Sequence, residues 1–294
     1  MEPPPSLDWS AFADEYVDNI ERRLCGRYVP DLIDLIQSIE AKQDGKPLKI
    51  LDVGCGPGHL SLVLAQRGHT VFAVDYAPKM IDLLKQRTQG MNLNLFPMVM
   101  DGMTLEGIQD GDIDVTVSNF GVFLFPNRKL AWTNIHRVLK PTVGVLITTT
   151  WDTLGSQVQI EALKKAQLEP NNIDGISFFN GFSVAMDENE TGLHNILSTS
   201  DWETLSDPKV FKQEVSDSGF EIIDVYALSH SMMFCNGDHY MKVFDAGPLA
   251  AKIKQMNEHE LQEMRERVLR SVTNDPNKSF CLVSKCNMLY AVKP

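Results

Sequence analysis

The sequence predicts an α/β fold, a mostly parallel sheet with helices on both faces. Apolar runs of strand length alternate with amphipathic helical segments from Leu48 to Trp151. The connections between them are short and punctuated by glycine and proline. The first strand runs into a glycine-rich turn that opens a helix and leads to a second strand, "ILDVGCGPGHLSLVLAQRGHTVFAVD" from Ile50. Parallel neighbours joined in this βαβ rhythm require right-handed crossovers, which put helices on each face. With 294 residues, 43% hydrophobic and 22% charged, the chain has ample material for one sizeable core.

Each element follows from its local pattern. After a tail containing Pro3, Pro4 and Pro5, the apolar residues from Trp9 to about Ile39 fall at helical spacing: Phe12, Tyr16, Ile20, Leu24, Val29, Leu32, Leu35, Ile36 and Ile39. "AKQDGKP" is a turn-rich break. "LKILDV" reads as the first strand, Pro57 to Arg67 as a helix closed by Gly68, and "TVFAVD" as the second strand. Pro78 opens the next helix, since a residue without an N–H suits the first turn, and Met80, Leu83 and Leu84 carry it toward Gly90. "NLNLFPMVMD" and "DIDVTVSNF" give the third and fourth strands. Leu130 to Leu139 is amphipathic and is stopped by Pro141, and "VGVLITTTW" is the fifth strand.

There the rhythm breaks. Residues 152–205 are polar and irregular and read as an insertion over one sheet edge. Order returns with "SDPKVFKQEVSDSGF", a helix capped at Ser206 or Asp207 and ended by Gly219. "EIIDVYALSH" and "SFCLVSKCNMLYAV" are the sixth and seventh strands, separated by a helical excursion over 231–275. Cys281 and Cys286, five positions apart in that last strand, should face opposite sides.

Composition narrows the function. A net charge of −12 and a pI near 5.0 argue against nucleic acid, whose binding depends on cationic side chains, and against anionic membrane surfaces. The five cysteines are scattered without a CxxC pair, the usage of a reducing compartment, and no metal constellation is evident. "MEPPPSLDWS" has neither a basic n-region nor an apolar h-region, so no signal peptide is expected. No apolar stretch approaches the ~20 residues of a membrane span. The expected setting is cytoplasmic; the oligomeric state is not legible.

The glycine turn decides the ligand. Dinucleotide folds place a pyrophosphate on a GxGxxG turn. Here Gly54, Gly56 and Gly58 are spaced GxGxG, and His59 stands where the third dinucleotide glycine would be. Asp52 ends the strand just before them, and a carboxylate there repels a pyrophosphate but attracts a cation. S-adenosylmethionine carries an α-ammonium and a sulfonium and has no phosphate. Asp75, ending the second strand, would bind ribose hydroxyls, a role it could equally play for NAD.

"LDVGCGPGHL", "VFAVDYAPKM", "MVMDGMTL", "DVTVSNFGVFLFPN" and "IHRVLKPTVGVLI" follow in order over roughly residues 48 to 151. Together they resemble the successive motifs of class I S-adenosylmethionine-dependent methyltransferases, of the methyltransferase-11-like, small-molecule kind. The resemblance implies a Rossmann-like seven-stranded sheet whose last strand runs antiparallel beside the sixth. It implies one domain: an N-terminal helical cap (1–47), a cofactor-binding core (48–151), the insertion (152–205) and the remainder of the sheet (206–294). It places Asp52, Gly54, Cys55 and Gly56 around the methionine part and Asp75 on the ribose. Tyr76 and Met80 would flank the adenine, and Asp101 with Gly102 or Met103 would meet its amino edge. Asn119 and Phe120 would border the methyl group, and Tyr16 resembles the aromatic that folds over the cofactor in many relatives. The product would be S-adenosylhomocysteine.

Methyl transfer from a sulfonium is an in-line displacement whose donor is already activated, so the protein chiefly aligns nucleophile, carbon and sulfur in a dry pocket. A general base helps only when the nucleophile arrives protonated. His59, His194, His230 and His239 are the histidines weighed for that role. His230 closes the sixth strand and His239 opens the excursion after it, so these two are the candidates; no catalytic residue is fixed, and no single histidine is expected to be indispensable. Amino-group methyltransferases of adenine and glutamine carry N-P-P-[YF] where this chain has "SNFG". Neither a catechol-type metal constellation nor an arginine-methyltransferase glutamate pair is recognisable. A small-molecule acceptor remains, with Phe123, Phe125 and Trp151 as apolar lining beside the strand ends. "FGVFLFPN", "TTTW" and "AVKP" loosely resemble fungal natural-product methyltransferases. A non-catalytic cofactor-binding regulator and an NAD-dependent oxidoreductase are the alternatives.

Overall fold

A computed structural model describes residues 9–152, 202–246 and 250–294. The N-terminal segment is not one helix. It runs as a 3-10 turn (Trp9–Phe12), an α turn (Ala13–Tyr16), a π turn (Val17–Glu21) and a second 3-10 turn (Cys25–Tyr28) before α1 (Val29–Lys42) begins. Gly26 weakens a helix that Pro30 then restarts, because proline fits a first turn and not a helix interior. Phe12, Leu24, Tyr28, Leu32 and Ile36 at that helical spacing are nevertheless all core residues.

The expected alternation follows: β1 (Lys49–Val53), α2 (His59–Gln66), β2 (Thr70–Asp75), α3 (Pro78–Arg87), β3 (Leu95–Val99), β4 (Val115–Ser118), α4 (Arg128–Val138) and β5 (Val145–Trp151). After the insertion come α5 (Pro208–Ser216), β6 (Glu221–Phe234), α6 (Glu258–Arg270) and β7 (Phe280–Val292). Nearly the whole expected insertion, with His194, lies outside the described residues. The excursion carries a short helix Gly237–Met241 and then α6, whose Asn257 and Glu260 form a reciprocal capping box.

The sheet order is β3-β2-β1-β4-β5-β7-β6. The first five strands are parallel, and β7 inserts antiparallel between β5 and β6. All seven residues of β5 are buried, as parallel strands covered on both faces must be. β6 does not end at His230 but pairs with β7 as far as Phe234 opposite Phe280, so the hairpin projects past the carboxyl end of β5, where Trp151 lies opposite Cys286. In β7 Cys281 is exposed and Cys286 buried, on opposite faces as their spacing requires. The site therefore opens where the carboxyl ends of β1, β2, β4 and β5 meet the N-terminal segment.

Candidate cofactor and acceptor site

The turn after β1 holds Gly54, Gly56 and Gly58 with φ of 69°, 54° and 80°, a backbone path that side-chain-bearing residues rarely adopt. It bends the chain back so that α2 starts at His59 and the turn's amides face the β2 end. Asp75 closes that end by accepting hydrogen bonds from the N–H groups of Gly56 (2.9 Å) and Ala77 (2.9 Å). Burial nevertheless holds its carboxyl above the usual range.

Asp52 is 1% exposed. Its Oδ2 accepts from the Ser61 hydroxyl, one turn into α2, at 2.5 Å. Burial pushes this carboxyl up to about 7; the Ser61 hydroxyl and N–H pull against burial, and the Asp75 carboxylate adds to it. Asp52 thus serves the first turn of α2 as well as the cavity wall. Burial likewise raises Cys55 well above the ordinary thiol value and pushes Cys25 up to about 12, so both thiols stay protonated near neutrality.

A cavity of about 30 Å³ is lined by Tyr16, Glu21, Cys25, Asp52, Cys55, Asn119 and the turn between them. That is room for a water or two. The N-terminal segment forms one wall of this cavity. The Tyr16 ring lies over Gly56, 3.8 Å from where a β-carbon there would be, and its hydroxyl meets Cys25 Sγ at 3.7 Å. Trp9 packs edge-on against Tyr16, and both sit against Ala13, Ala77 and the buried Met80. Glu21, 6% exposed, is gripped by Arg87 at 2.8 and 2.6 Å and accepts the His59 N–H at 3.3 Å. Asp14 pairs with Lys79 outside this plug.

The remaining expected cofactor contacts cluster on the same side. Tyr76 is partly exposed beside Asp75. Exposed Asp101 accepts the Met103 N–H at 2.7 Å. Gly102 sits so close to Phe125 and Val53 that a β-carbon would lie 2.8 and 2.9 Å from them. Phe125, expected on the acceptor wall, is packed between Gly102 and Gly54.

On the acceptor side, Asn119 donates to the Cys25 carbonyl (3.1 Å) and accepts from the Thr149 hydroxyl (3.1 Å), which also takes the Phe120 N–H (2.8 Å). Phe120 is left-handed at φ 59°, an uncommon state for a large side chain, and its ring stacks on Trp151 at 3.5 Å. Tyr28 meets both rings edge-on, at 5.3 and 5.8 Å, and Phe123 is buried nearby in sequence. The far side of Tyr28 meets His230 at 4.6 Å, and His230 Nε2 pairs with Asp31 at 2.8 Å. His239 instead closes the turn after β6, its Nδ1 accepting the Cys235 N–H at 3.0 Å; burial, Arg23 and Lys242 lower its pKa.

Sequence reasoning missed Ser61, Glu21, Arg87, Tyr28 and Asp31. Ser61 carried a usable signal, lying in the first turn of the helix that follows Asp52; the others become neighbours only through the tertiary fold.

Sheet order and glycine turn are those of the class I methyltransferase fold, and the cavity wall carries Asp52 and the Arg87-bound Glu21. Residues 51–147 match the family model described as a methyltransferase domain. The chain is 28% identical over 101 residues to a malonyl-[acyl-carrier protein] O-methyltransferase of Serratia marcescens, covering 34% of this chain and 38% of that one. It is 34% identical over 91 residues to a Haemophilus influenzae protein named as the S-adenosyl-L-methionine-dependent methyltransferase TehB, 31% of each chain. It spans about a third of the length of the curated relatives it matches. A solved structure of a candidate methyltransferase from Bacillus halodurans superposes with a TM-score of 0.53 at 13% identity, over 84% of this chain and 93% of that one, a likeness of fold. Among the described residues no helix is long and apolar enough to cross a membrane.

Proposed function

We propose that the protein moves the methyl group of S-adenosylmethionine to a small-molecule acceptor by in-line displacement. The observation that carries this reading is the acid-walled cradle: Asp52 and Asp75 flank the glycine turn where a dinucleotide would need its phosphates. When bound, the cofactor supplies an activated methyl group on a sulfonium. Asp52 would face its α-ammonium, with Gly54, Cys55 and Gly56 supplying backbone contacts. Asp75 would take the ribose, Tyr76 and Met80 the adenine faces, and Asp101, Gly102 and Met103 its edge. Tyr16 would close over the nucleoside.

Asn119 and Phe120 would border the transferred methyl, with Trp151 and Phe123 as apolar wall and Phe125 holding the cradle from behind. Alignment in such a pocket lowers a barrier by roughly 7–11 kcal/mol, so it outweighs the ~10²–10⁴-fold a base contributes. Each candidate histidine has a ring nitrogen engaged: His230 Nε2 by Asp31, with the Tyr28 ring against it, and His239 Nδ1 by the Cys235 N–H. Acidic charge and unpaired cysteines support a small acceptor in a reducing, cytoplasmic setting rather than a nucleic acid.

Calorimetric titration should show S-adenosylhomocysteine binding and no NAD binding; the reverse result would overturn the proposal. A tritiated-methyl screen of small hydroxyl, thiol and amine acceptors should then find a labelled product. One observation favours a second reading, a binder that transfers nothing: the Asn119 side chain is already tied to Cys25 and Thr149. Binding without product across that screen would select it.

A further inference from the structure

Asp52 stands in surroundings hostile to its charge. Asp75 at the end of β2, Cys55 in the turn, Glu21, Tyr16 and Cys25 on the N-terminal segment, and His59 at the start of α2 all face the same small cavity or its floor. Burial raises the cost of its charge, and the Asp75 carboxylate raises it further. Against this stands Ser61, itself fully buried on the inner face of α2, with its hydroxyl 2.5 Å from Oδ2. A lysine or arginine in that position would hold the carboxylate more firmly, but it would also cancel the field the carboxylate presents to a cation. A hydroxyl is a neutral donor: it fixes the rotamer and favours the ionised form while leaving the net charge at −1.

We propose that Ser61 is a positioning residue that keeps the Asp52 carboxylate ionised and aimed at the cavity, so that affinity for a cationic amino-acid ligand persists at neutral pH. Resting on the reading of the cradle as a cofactor site, the inference names the group that sets the working pH range of that site. Ser61 does not touch the ligand; it acts through Asp52. The sign follows from linkage. A ligand ammonium prefers the ionised carboxylate, so affinity is full above the carboxyl's titration midpoint in the free protein and falls about tenfold per pH unit below it. A hydrogen bond to a charged group contributes about one to two pH units of midpoint, so removing it moves the acid limb upward by that much.

The test is a titration of the Asp52 carboxyl carbon by NMR in the unliganded protein, alongside S-adenosylhomocysteine calorimetry from pH 5.5 to 8. Ser61→Ala should raise the carboxyl midpoint by about one to two units and weaken binding roughly five- to fifty-fold at pH 7. Ser61→Thr, which keeps the hydroxyl, should restore both. An unmoved midpoint in Ser61→Ala, or an affinity loss that is equal at every pH, would overturn the inference and leave Ser61 a packing residue. Absence of binding by the wild-type protein at any pH would instead overturn the cofactor reading; the carboxyl titration still decides whether Ser61 tunes Asp52.

Discussion

His69 shows how one residue's chemistry translates into a measurable property of the fold. It is fully buried ahead of β2, and its Nδ1 accepts the Leu48 N–H at 3.1 Å, so the ring proton sits on Nε2, which has no partner among the described residues. Burial lowers its pKa from the ordinary 6.5, with Glu40 pulling the other way. The unfolded chain therefore binds the proton more readily. The stabilisation is fully present above pH 6.5, is lost progressively as pH falls through that value, and stops falling below the lowered folded midpoint. Asn at this position keeps an acceptor within reach of Leu48 and cannot ionise. His69→Asn should therefore flatten the loss of urea stability between pH 7.5 and 5.5 relative to wild type, whatever its offset; parallel curves would show that His69 is not the titrating group. Nothing in "RGHTVFAVD" foretells this, because burial is a property of the fold and not of the local sequence.

At the scale of elements, strands and helices were legible because their signals are local. Period-two and fully apolar runs, Pro78 at a first turn and Gly68 and Gly219 after helix ends are each read within a few residues. The extent of β6 was not legible. "SMMF" continues the strand because β7 is there to pair with it, and that partner lies some 50 residues on. The breaks in the N-terminal helix and the Glu21–Arg87 pair share this limit, the pair being 66 residues apart in sequence. That pair fastens the N-terminal segment to α3, while Arg87 also donates to the Pro57 carbonyl at 2.8 Å and so reaches the glycine turn. The side chains are 24% and 7% exposed, so Arg87→Met leaves a carboxylate largely buried and uncompensated. Breaking buried pairs costs about 3–5 kcal/mol; partial exposure of Arg87 brings the expected loss to roughly 2 kcal/mol. The segment Trp9–Tyr28 should also exchange its amide protons faster in this variant. An unchanged urea midpoint with unchanged exchange would show that the segment is held by its apolar contacts alone.

For the whole molecule, the decisive arrangement is that cradle and plug belong to one chain. Tyr16, Glu21 and Cys25 of the N-terminal segment wall a cavity of about 30 Å³ beside Asp52. A bulky ligand is expected to reach the Asp52 cavity by displacing the segment from Trp9 to Cys25, which walls it. The contacts that hold it include the Arg87 fork, the Asp14–Lys79 pair, the Asn119 bond to the Cys25 carbonyl, the His59 bond to Glu21, the apolar cluster around Ala13, Ala77 and Met80, and the buried Phe12, Leu24 and Cys25. α1 and the sheet need not follow, because Tyr28 is anchored separately by its hydroxyl to Ser284 at 2.8 Å. Entry should then be limited by opening and not by collision. In stopped-flow mixing with S-adenosylhomocysteine, the observed rate should level off at high ligand concentration, and the plateau should be independent of viscosity. Arg87→Met, which releases the fork, should raise that plateau by up to roughly thirty-fold, the factor corresponding to about 2 kcal/mol if the fork is fully broken when the segment opens. A rate that climbs in proportion to ligand up to the diffusion range would mean that the closed arrangement does not govern access.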